Sequence, residues 1–139
     1  MAAAKNFIHG CVLWALVSFT AFSETETVRI ASLNVENYLL LDRIVNGKWR
    51  PNYPKPEKEK RALRSIIRQV DPDVLLLQEM GDLPFLNELW MDLNVTQGPE
   101  YRYSDWMEGS YQEEERHLAV FSKIPFASVQ HLSLIHISE

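Results

Sequence analysis

The chain has 139 residues, of which 46% are hydrophobic and 24% are charged, and its formal net charge is −5. This composition is typical of a globular protein and excludes a disordered, collagen-like or coiled-coil chain. A chain of this length forms at most one domain of common size, and it can bury a core without disulfides or structural zinc. The single cysteine, Cys11, cannot form an internal disulfide bridge, and no Cys/His spacing indicates zinc.

The first 23 residues have the pattern of a cleavable export signal. Lys5 supplies a positive charge, an apolar run of 12 residues extends from Cys11 to Phe22, and Ser23 ends a stretch suited to a signal peptidase. The run is too short to span a bilayer as a helix. The alternative is a buried N-terminal helix, but polar, β-favouring residues follow directly. We therefore expect residues 1–23 to be removed and the protein to be periplasmic or extracellular.

Residues 27–35 are β-branched and apolar, which predicts a strand buried on both faces of a layered fold. Polar side chains collect at the C-terminal end of this strand, from Asn34 onwards. Asn46-Gly47 is then a turn signal, and three prolines follow it before Glu57. Residues 41–56 therefore predict a long loop.

Helix and strand patterns alternate through the rest of the chain. A helix is predicted from Glu57 to Val70, with Leu63, Ile66, Ile67 and Val70 in one apolar stripe, and Asp71-Pro72 ends it. A central strand is predicted from Val74 to Leu77. The later elements are a helix over 84–93, strands over 101–106 and 118–122, and an acidic loop over 107–116. Strands with interposed helices predict an α/β (α+β) fold with a sheet as its spine.

Positive charge is concentrated in one part of the chain. Between Arg43 and Val70 lie nine basic residues and only two acidic ones, with Trp49 and Tyr53 among them. Such a segment can hold a polyanion through phosphate contacts. A solvated helix face next to a loop gives the same pattern, so charge alone leaves both interpretations open.

Two polar residues at strand ends are the first candidates for chemistry. Glu79 directly follows a buried apolar strand, where a carboxylate is costly unless it is paired, solvated or bound to a cation. Asn34 ends another strand, and its amide oxygen is an acceptable ligand for magnesium. An exposed strand-end acid and a turn cap are the structural alternatives. Glu36 and Asn37 are candidates to assist Asn34.

Three blocks of residues then resemble, in order, the endonuclease/exonuclease/phosphatase superfamily. They are Ser32 to Asn37 (SLNVEN), Asp71 to Glu79 (DPDVLLLQE) and Leu118 to Pro125 (LAVFSKIP). The superfamily includes pancreatic-type deoxyribonucleases, abasic-site endonucleases, secreted sphingomyelinases and inositol polyphosphate 5-phosphatases. The resemblance implies a four-layer α/β/β/α sandwich, of which residues 24–131 would form the N-terminal half.

The same resemblance implies metal-assisted hydrolysis of a phosphate ester by an activated water. By this resemblance Asn34 matches the family's metal- and phosphate-site asparagine and Glu79 its metal-binding glutamate. Both are expected to be catalytic residues and metal ligands, with Mg²⁺ as the cofactor and Mn²⁺ or Ca²⁺ as alternatives. The family's catalytic histidine, its Asp-x-Asn and its terminal Asp-His pair have no counterpart in this sequence. We therefore expect the 139-residue chain to be a truncated and inactive representative of an exported phosphodiesterase.

Nucleic acid is the expected partner, with phospholipid as the alternative substrate and a non-catalytic secreted binding module as the alternative class. The candidate substrate-binding residues are Arg43, Lys48, Trp49, Arg50, Arg116 and His117. For His117 the alternative is a surface residue with a structural partner. The segment from Leu132 to Glu139 resembles a translated sequencing adapter, and we expect it to be non-native.

Overall fold

The structure is a computed structural model that describes residues 26–95, 100–107 and 116–131. Its elements are β1 (Ile30–Tyr38), β2 (Leu41–Val45), β3 (Lys48–Tyr53), α1 (Glu57–Val70), β4 (Val74–Met80), α2 (Leu83–Asn94), β5 (Tyr103–Met107) and β6 (His117–Ser122). The predicted export signal, the predicted tail at 132–139 and most of the predicted acidic loop lie outside the described residues.

One mixed sheet of four strands, in the order β1-β4-β6-β5, forms the spine of the fold. β1 pairs with β4 in parallel through the connecting helix α1, whereas β6 is antiparallel to both β4 and β5. A parallel pair needs a crossover connection, and α1 supplies it. The predicted α/β class is confirmed, as are the bounds of α1 and the central position of β4.

Both helices cover the same face of this sheet. Because side chains alternate along a strand, Val35, Leu75, Leu77 and Phe121 point to that face, where they pack with Ile67 of α1. The helices also contact each other through charged side chains: Lys60 pairs with Glu88, and Arg64 pairs with Asp92. Core and helix layer together hold the C-terminal end of the β1–β4 pair in place.

The opposite face of the sheet is open among the described residues. Ile30, Leu76 and Leu118 are 66%, 43% and 49% exposed there. The expectation that β1 is buried on both faces is therefore wrong, because the helices cover only one face of the sheet and no described residue covers the other. One helix layer on one sheet is half of the four-layer arrangement that the resemblance implies.

Residues 41–56, predicted as a loop, form a β-hairpin instead. Asn46 and Gly47 both have positive φ angles, 52° and 73°, and such residues make the tight turn that joins two strands with their natural twist. β2 and β3 pair as a separate two-stranded sheet. The prediction of a loop is wrong because the pairing of β2 with β3 leaves no periodic signal in the sequence, and Pro51 lies in a strand with one partner, where proline is tolerated.

The apolar stripe predicted for α1 is only partly buried. Leu63 and Ile67 belong to the core, whereas Ile66 and Val70 are 51% and 42% exposed. Those two side chains lie toward β1, the edge strand, beyond which the described residues provide no further layer. In the described residues, neither helix has the length and apolar character needed to cross a membrane.

The packing of α2 gives a direct test of which helix face is buried. Leu89 is fully buried and Met91, two residues later, is 56% exposed. We expect Leu89→Ala to lower the free energy of unfolding by about 2 to 5 kcal/mol because it leaves a cavity in the core. Met91→Ala should stay within about 0.5 kcal/mol of the parent protein. Urea unfolding measures both, and comparable losses would contradict this orientation of α2.

Candidate functional site

The parallel strands β1 and β4 both become irregular at their C-terminal ends. The register of the pair shifts between Asn34 and Tyr38. Three residues near that shift have positive φ angles: Glu36 (49°), Asn37 (59°) and Glu79 (60°). Bulges and left-handed residues turn side chains away from the regular alternation, and they occur most often next to functional sites. This edge of the sheet is where the sequence places its polar residues.

Glu79 and Asn34 meet at this edge. Asn34 Nδ2 donates a hydrogen bond of 2.8 Å to Glu79 Oε1, and Asn34 Oδ1 accepts one of 2.8 Å from the backbone N–H of Glu36. These two bonds fix which way the amide points. The backbone N–H of Asn37 donates to Glu79 Oε2 at 3.1 Å. Each oxygen of the half-buried carboxylate therefore accepts one hydrogen bond and keeps lone pairs for another partner.

Arg116 reaches the same edge from the start of β6. Its Nε donates a hydrogen bond of 2.7 Å to Asn37 Oδ1, although the two residues are 79 positions apart in the chain. No other described group accepts a hydrogen bond from this exposed guanidinium. Arg116, a candidate substrate-binding residue, therefore lies near the carboxylate of Glu79, and Asn37 contacts both of them.

Arg43 occupies a different position from the one expected of a substrate contact. Its Nη2 donates to the backbone carbonyl of Asn37 at 2.6 Å and to that of Leu39 at 3.3 Å, while its Nε donates to the carbonyl of Tyr53. The half-buried guanidinium thus joins the base of the hairpin to the strand end that carries Asn37. This geometry gives Arg43 an anchoring role within the protein.

His117 stands at the same edge, opposite Met80, but its side chain turns to the helix-covered face. It is 5% exposed, its Nε2 is 3.1 Å from Asp82 Oδ1, and its ring centroid is 4.6 Å from that of Trp106. Since side chains alternate along β6, His117 and its neighbour Arg116 point in different directions. This buried position does not support the expectation that His117 touches substrate. The structural alternative holds for the partner, Asp82, but not for the predicted surface position.

The other three substrate-binding candidates lie on the hairpin. Lys48, Trp49 and Arg50 are exposed, and neither cation has an ion pair with a described residue. Trp49 is 62% exposed and pairs across the strands with Ile44, which is 74% exposed. Because side chains alternate along β3, the hairpin presents the aromatic and aliphatic pair on one face and the two positive charges on the other.

Most of the remaining positive charge between Arg43 and Val70 is used inside the protein. Lys55, Lys60 and Arg64 form ion pairs with acidic side chains, and Arg68 donates to the backbone carbonyl of Asp92. Lys58 and Arg61 are exposed and have no ion pair among the described residues. Much of the positive charge of α1 therefore has a structural role. The basic residues that can still contact a polyanion lie on the hairpin and on one exposed face of that helix.

A cavity of about 250 Å³ adjoins the Asn34 side of the site, between β1 and α1. Its walls are mainly apolar, with Leu33 and Ile66 contributing. The one cation that lines it, Lys55, already contacts Glu59 and the carbonyl of Glu36. The cavity offers space beside the site without adding a free charge.

The donor atoms at the site suit a cation that keeps several water ligands better than a cation whose ligands all come from the protein. Among the described residues no group of three or more His, Cys, Asp or Glu side chains is arranged to hold a metal ion. Glu79 supplies one carboxylate, and one lone pair of the Asn34 amide oxygen is already used by Glu36. Mg²⁺ commonly keeps several waters and binds through one or two carboxylates plus substrate phosphate, so this donor set fits such a site.

The parallel pair β1–β4 ends in a carboxylate and an amide, and a guanidinium from the start of β6 lies beside them, which is an arrangement suited to binding a phosphate group. The model of the Endonuclease/Exonuclease/phosphatase family matches residues 31–136, and the chain belongs to this family. The matched range contains Asn34, Asn37, Glu79 and Arg116, and it extends into the segment predicted to be a non-native tail. No curated protein and no solved structure matches the chain. The family is one of hydrolases of the nuclease and phosphatase type.

Asn37 makes more contacts than the sequence indicates. The sequence predicts only that it assists Asn34, whereas its backbone N–H, backbone carbonyl and side-chain oxygen contact Glu79, Arg43 and Arg116 respectively. The available signal was the residue type, because asparagine adopts the left-handed conformation far more readily than most residues. An asparagine just after a strand-end polar residue indicates such a turn.

The contact between Asn34 and Glu79 can be tested by reversing its electrostatics. Asn34→Asp places a second carboxylate beside Glu79, whereas Asn34→Ala only removes the donor. We expect Asn34→Asp to be the more destabilising of the two near pH 7, because like charges at hydrogen-bonding distance repel. The difference should shrink as the salt concentration rises, because salt screens the repulsion between the two carboxylates. Urea unfolding at low and high salt measures this, and equal losses in the two variants would contradict the contact.

Proposed function

We propose that this protein is an exported, metal-dependent phosphoesterase that hydrolyses phosphodiester bonds in nucleic acid. The observation that carries the proposal is the convergence of Glu79 and Arg116 on Asn37, in a chain of a phosphoesterase family. A carboxylate that can hold a cation and a guanidinium that can hold a phosphate are then within one residue of each other. Export rests on the pattern of residues 1–23.

In this proposal Glu79 is the protein ligand of Mg²⁺, with Mn²⁺ or Ca²⁺ as alternatives. The bound cation would supply Lewis-acid polarisation of a phosphoryl oxygen. Asn34 and the backbone N–H of Asn37 hold the carboxylate in one orientation by bonding one oxygen each. Arg116 directs its remaining N–H groups to the non-bridging oxygens of the phosphate, for which a guanidinium has matching geometry.

The hairpin is the proposed contact for the nucleic-acid chain. Lys48 and Arg50, which have no ion pair with a described residue, can neutralise phosphates from one face of β3, and Trp49 offers a ring on the other face on which a base can stack. Arg43 fixes the base of the hairpin to the carbonyl of Asn37, which keeps this surface beside the site. Lys58 and Arg61 on α1 extend the available positive charge.

A phospholipid substrate is the second candidate, and one observation favours it. Ile44 pairs with Trp49 on the hairpin, and an exposed aliphatic residue beside an exposed tryptophan suits the boundary between lipid headgroups and acyl chains. An aliphatic side chain has no stacking role with a base. The free cations Lys48 and Arg50 would suit anionic lipid as well as nucleic acid.

A binding module without catalysis is the third candidate for the 139-residue chain. The histidines of the described residues, His117 and His131, contact Asp82 and Asp105 and are not bonded to Glu79. Neither is therefore placed to take a proton from a water at this site. We expect this chain to bind a divalent cation and a phosphate ester without turning the ester over.

Metal binding should depend on Glu79. We expect Glu79→Gln to weaken Mn²⁺ binding at least about tenfold, because a neutral amide loses the charge that attracts the cation. Glu100→Gln is the matched control, since Glu100 is an exposed acid whose partner is Arg102. Titration followed by the electron paramagnetic resonance of free Mn²⁺ measures both. Equal affinities in the two variants would remove Glu79 from the metal site.

The hairpin distinguishes the two substrate classes. We expect a single-stranded oligonucleotide to bind the chain with an affinity that falls as salt rises, and Trp49→Ala to weaken it about tenfold by removing a stacking surface. Met91→Ala, which removes an exposed apolar side chain from α2, should have no effect. Fluorescence anisotropy measures oligonucleotide binding, and co-sedimentation with phosphatidylserine vesicles measures lipid binding. Binding to the vesicles alone would reject the nucleic-acid proposal in favour of phospholipid.

A further inference from the structure

Asn37 contacts each charged group of the site through a different atom. Its backbone N–H donates to Glu79 Oε2 at 3.1 Å, its carbonyl oxygen accepts from Arg43 Nη2 at 2.6 Å, and its Oδ1 accepts from Arg116 Nε at 2.7 Å. We infer that Asn37 is a positioning residue that sets the guanidinium of Arg116 relative to the carboxylate of Glu79. The chemistry that this arrangement serves rests on the proposed function.

The backbone conformation of Asn37 is what makes the three contacts compatible. Its φ of 59° is left-handed, so the N–H and the side chain leave the strand in directions that regular β backbone would not allow. Asparagine takes up this conformation more readily than most residues and also carries a short side-chain acceptor. Glycine would keep the conformation without the acceptor, and aspartate would keep the acceptor but add a charge.

The neutral side chain matters for Arg116. Because the acceptor on Asn37 is an uncharged amide oxygen, it orients Arg116 Nε without neutralising the guanidinium. The Nη groups remain available, since no described residue accepts from them. A guanidinium held at Nε presents its other edge in a fixed direction, which favours bidentate binding of phosphate.

Arg43 holds Asn37 from the other side. Its guanidinium also binds the carbonyls of Leu39 and Tyr53, so the carbonyl of Asn37 is tied to the base of the hairpin. Asn37 is thus fixed at its carbonyl by Arg43 and at its N–H by Glu79. The side-chain oxygen that orients Arg116 has little freedom to move as a result.

The test uses three variants of the 139-residue chain and a direct signal from Arg116. Asn37→Gly removes only the side-chain acceptor, Asn37→Asp restores an acceptor, and Asn46→Gly replaces another left-handed asparagine, at the hairpin turn. The Nε–H cross-peak of Arg116 in a nitrogen-correlated NMR spectrum is assigned by its absence in Arg116→Lys. We expect slow hydrogen exchange of this Nε–H in the parent, in Asn37→Asp and in Asn46→Gly. Exchange should be about tenfold faster in Asn37→Gly.

Affinity for a single-stranded oligonucleotide gives the second measurement. We expect Asn37→Gly to weaken binding about fivefold, and Arg116→Lys, which has no Nε–H to donate, to weaken it by at least as much. The double variant should lose no more than Arg116→Lys alone, because Asn37 acts through Arg116. If Asn37→Gly does not fold, by circular dichroism, Asn37→Ser replaces it in the same comparison, because its shorter hydroxyl does not reach Arg116 in the same geometry.

The outcomes separate this inference from the proposed function. Unchanged exchange of the Arg116 Nε–H in Asn37→Gly, or additive losses in the double variant, would overturn the positioning role and leave phosphate-ester binding standing. A parent protein with a protected Nε–H that binds no oligonucleotide and no phosphatidylserine vesicle would instead contradict the proposed function. The exchange rate in Asn37→Gly would still decide whether Asn37 orients Arg116.

Discussion

The parallel pairing of β1 with β4 is the constraint on which the site depends. The two strands start together, with Ile30 opposite Val74, and they remain in register as far as Asn34 opposite Gln78. Parallel strands carry their C-terminal residues to the same edge of a sheet, so polar groups separated by a helix in sequence become neighbours in space. The hydrogen bond between Asn34 and Glu79 is a direct consequence of this register. Without the crossover through α1, no local feature of either segment would bring these side chains together.

The same edge carries backbone strain that the core has to offset. Glu36 and Glu79 both adopt positive φ, and for a residue other than glycine or asparagine this costs about 1 to 2 kcal/mol each. Tyr38, Leu77 and Met80, which lie next to these residues in the strands, are at most 1% exposed. Close packing immediately beside the strained residues leaves few alternative arrangements, and this is how a costly backbone conformation persists. The rigidity that results is what a pre-organised binding site requires.

The spacing of apolar residues predicts the two helices and the four strands of the main sheet in their order along the chain. Burial on one face of a helix or strand imposes this spacing, so it is visible in the sequence. The predictions failed where partners decide the outcome. The turn at Asn46-Gly47 is predicted correctly, but the segments on either side of it are predicted as a loop. They form strands by pairing with each other, and this pairing leaves no periodic pattern in the sequence. Likewise, the strand-end positions of Asn34 and Glu79 were visible in sequence, but the contact of Arg116 with Asn37 spans 79 positions and could not be inferred from spacing. The metal and substrate roles of these residues remain predictions.

The fold decides which basic residues between Arg43 and Val70 remain available to a partner. The segment between Arg43 and Val70 carries nine basic residues, and counting them suggests one large cationic surface. Folding places Lys60 and Arg64 against the acids of α2, where they bind the two helices together. Charges so paired attract a distant polyanion only weakly, because a neighbouring carboxylate cancels most of their field beyond a Debye length of about 8 Å. Four exposed cations of the hairpin and of the outer face of α1 have no ion pair among the described residues, and four charges alone support only weak binding. In the proposed function, substrate recognition would therefore draw on Trp49 and on the guanidinium of Arg116 as well.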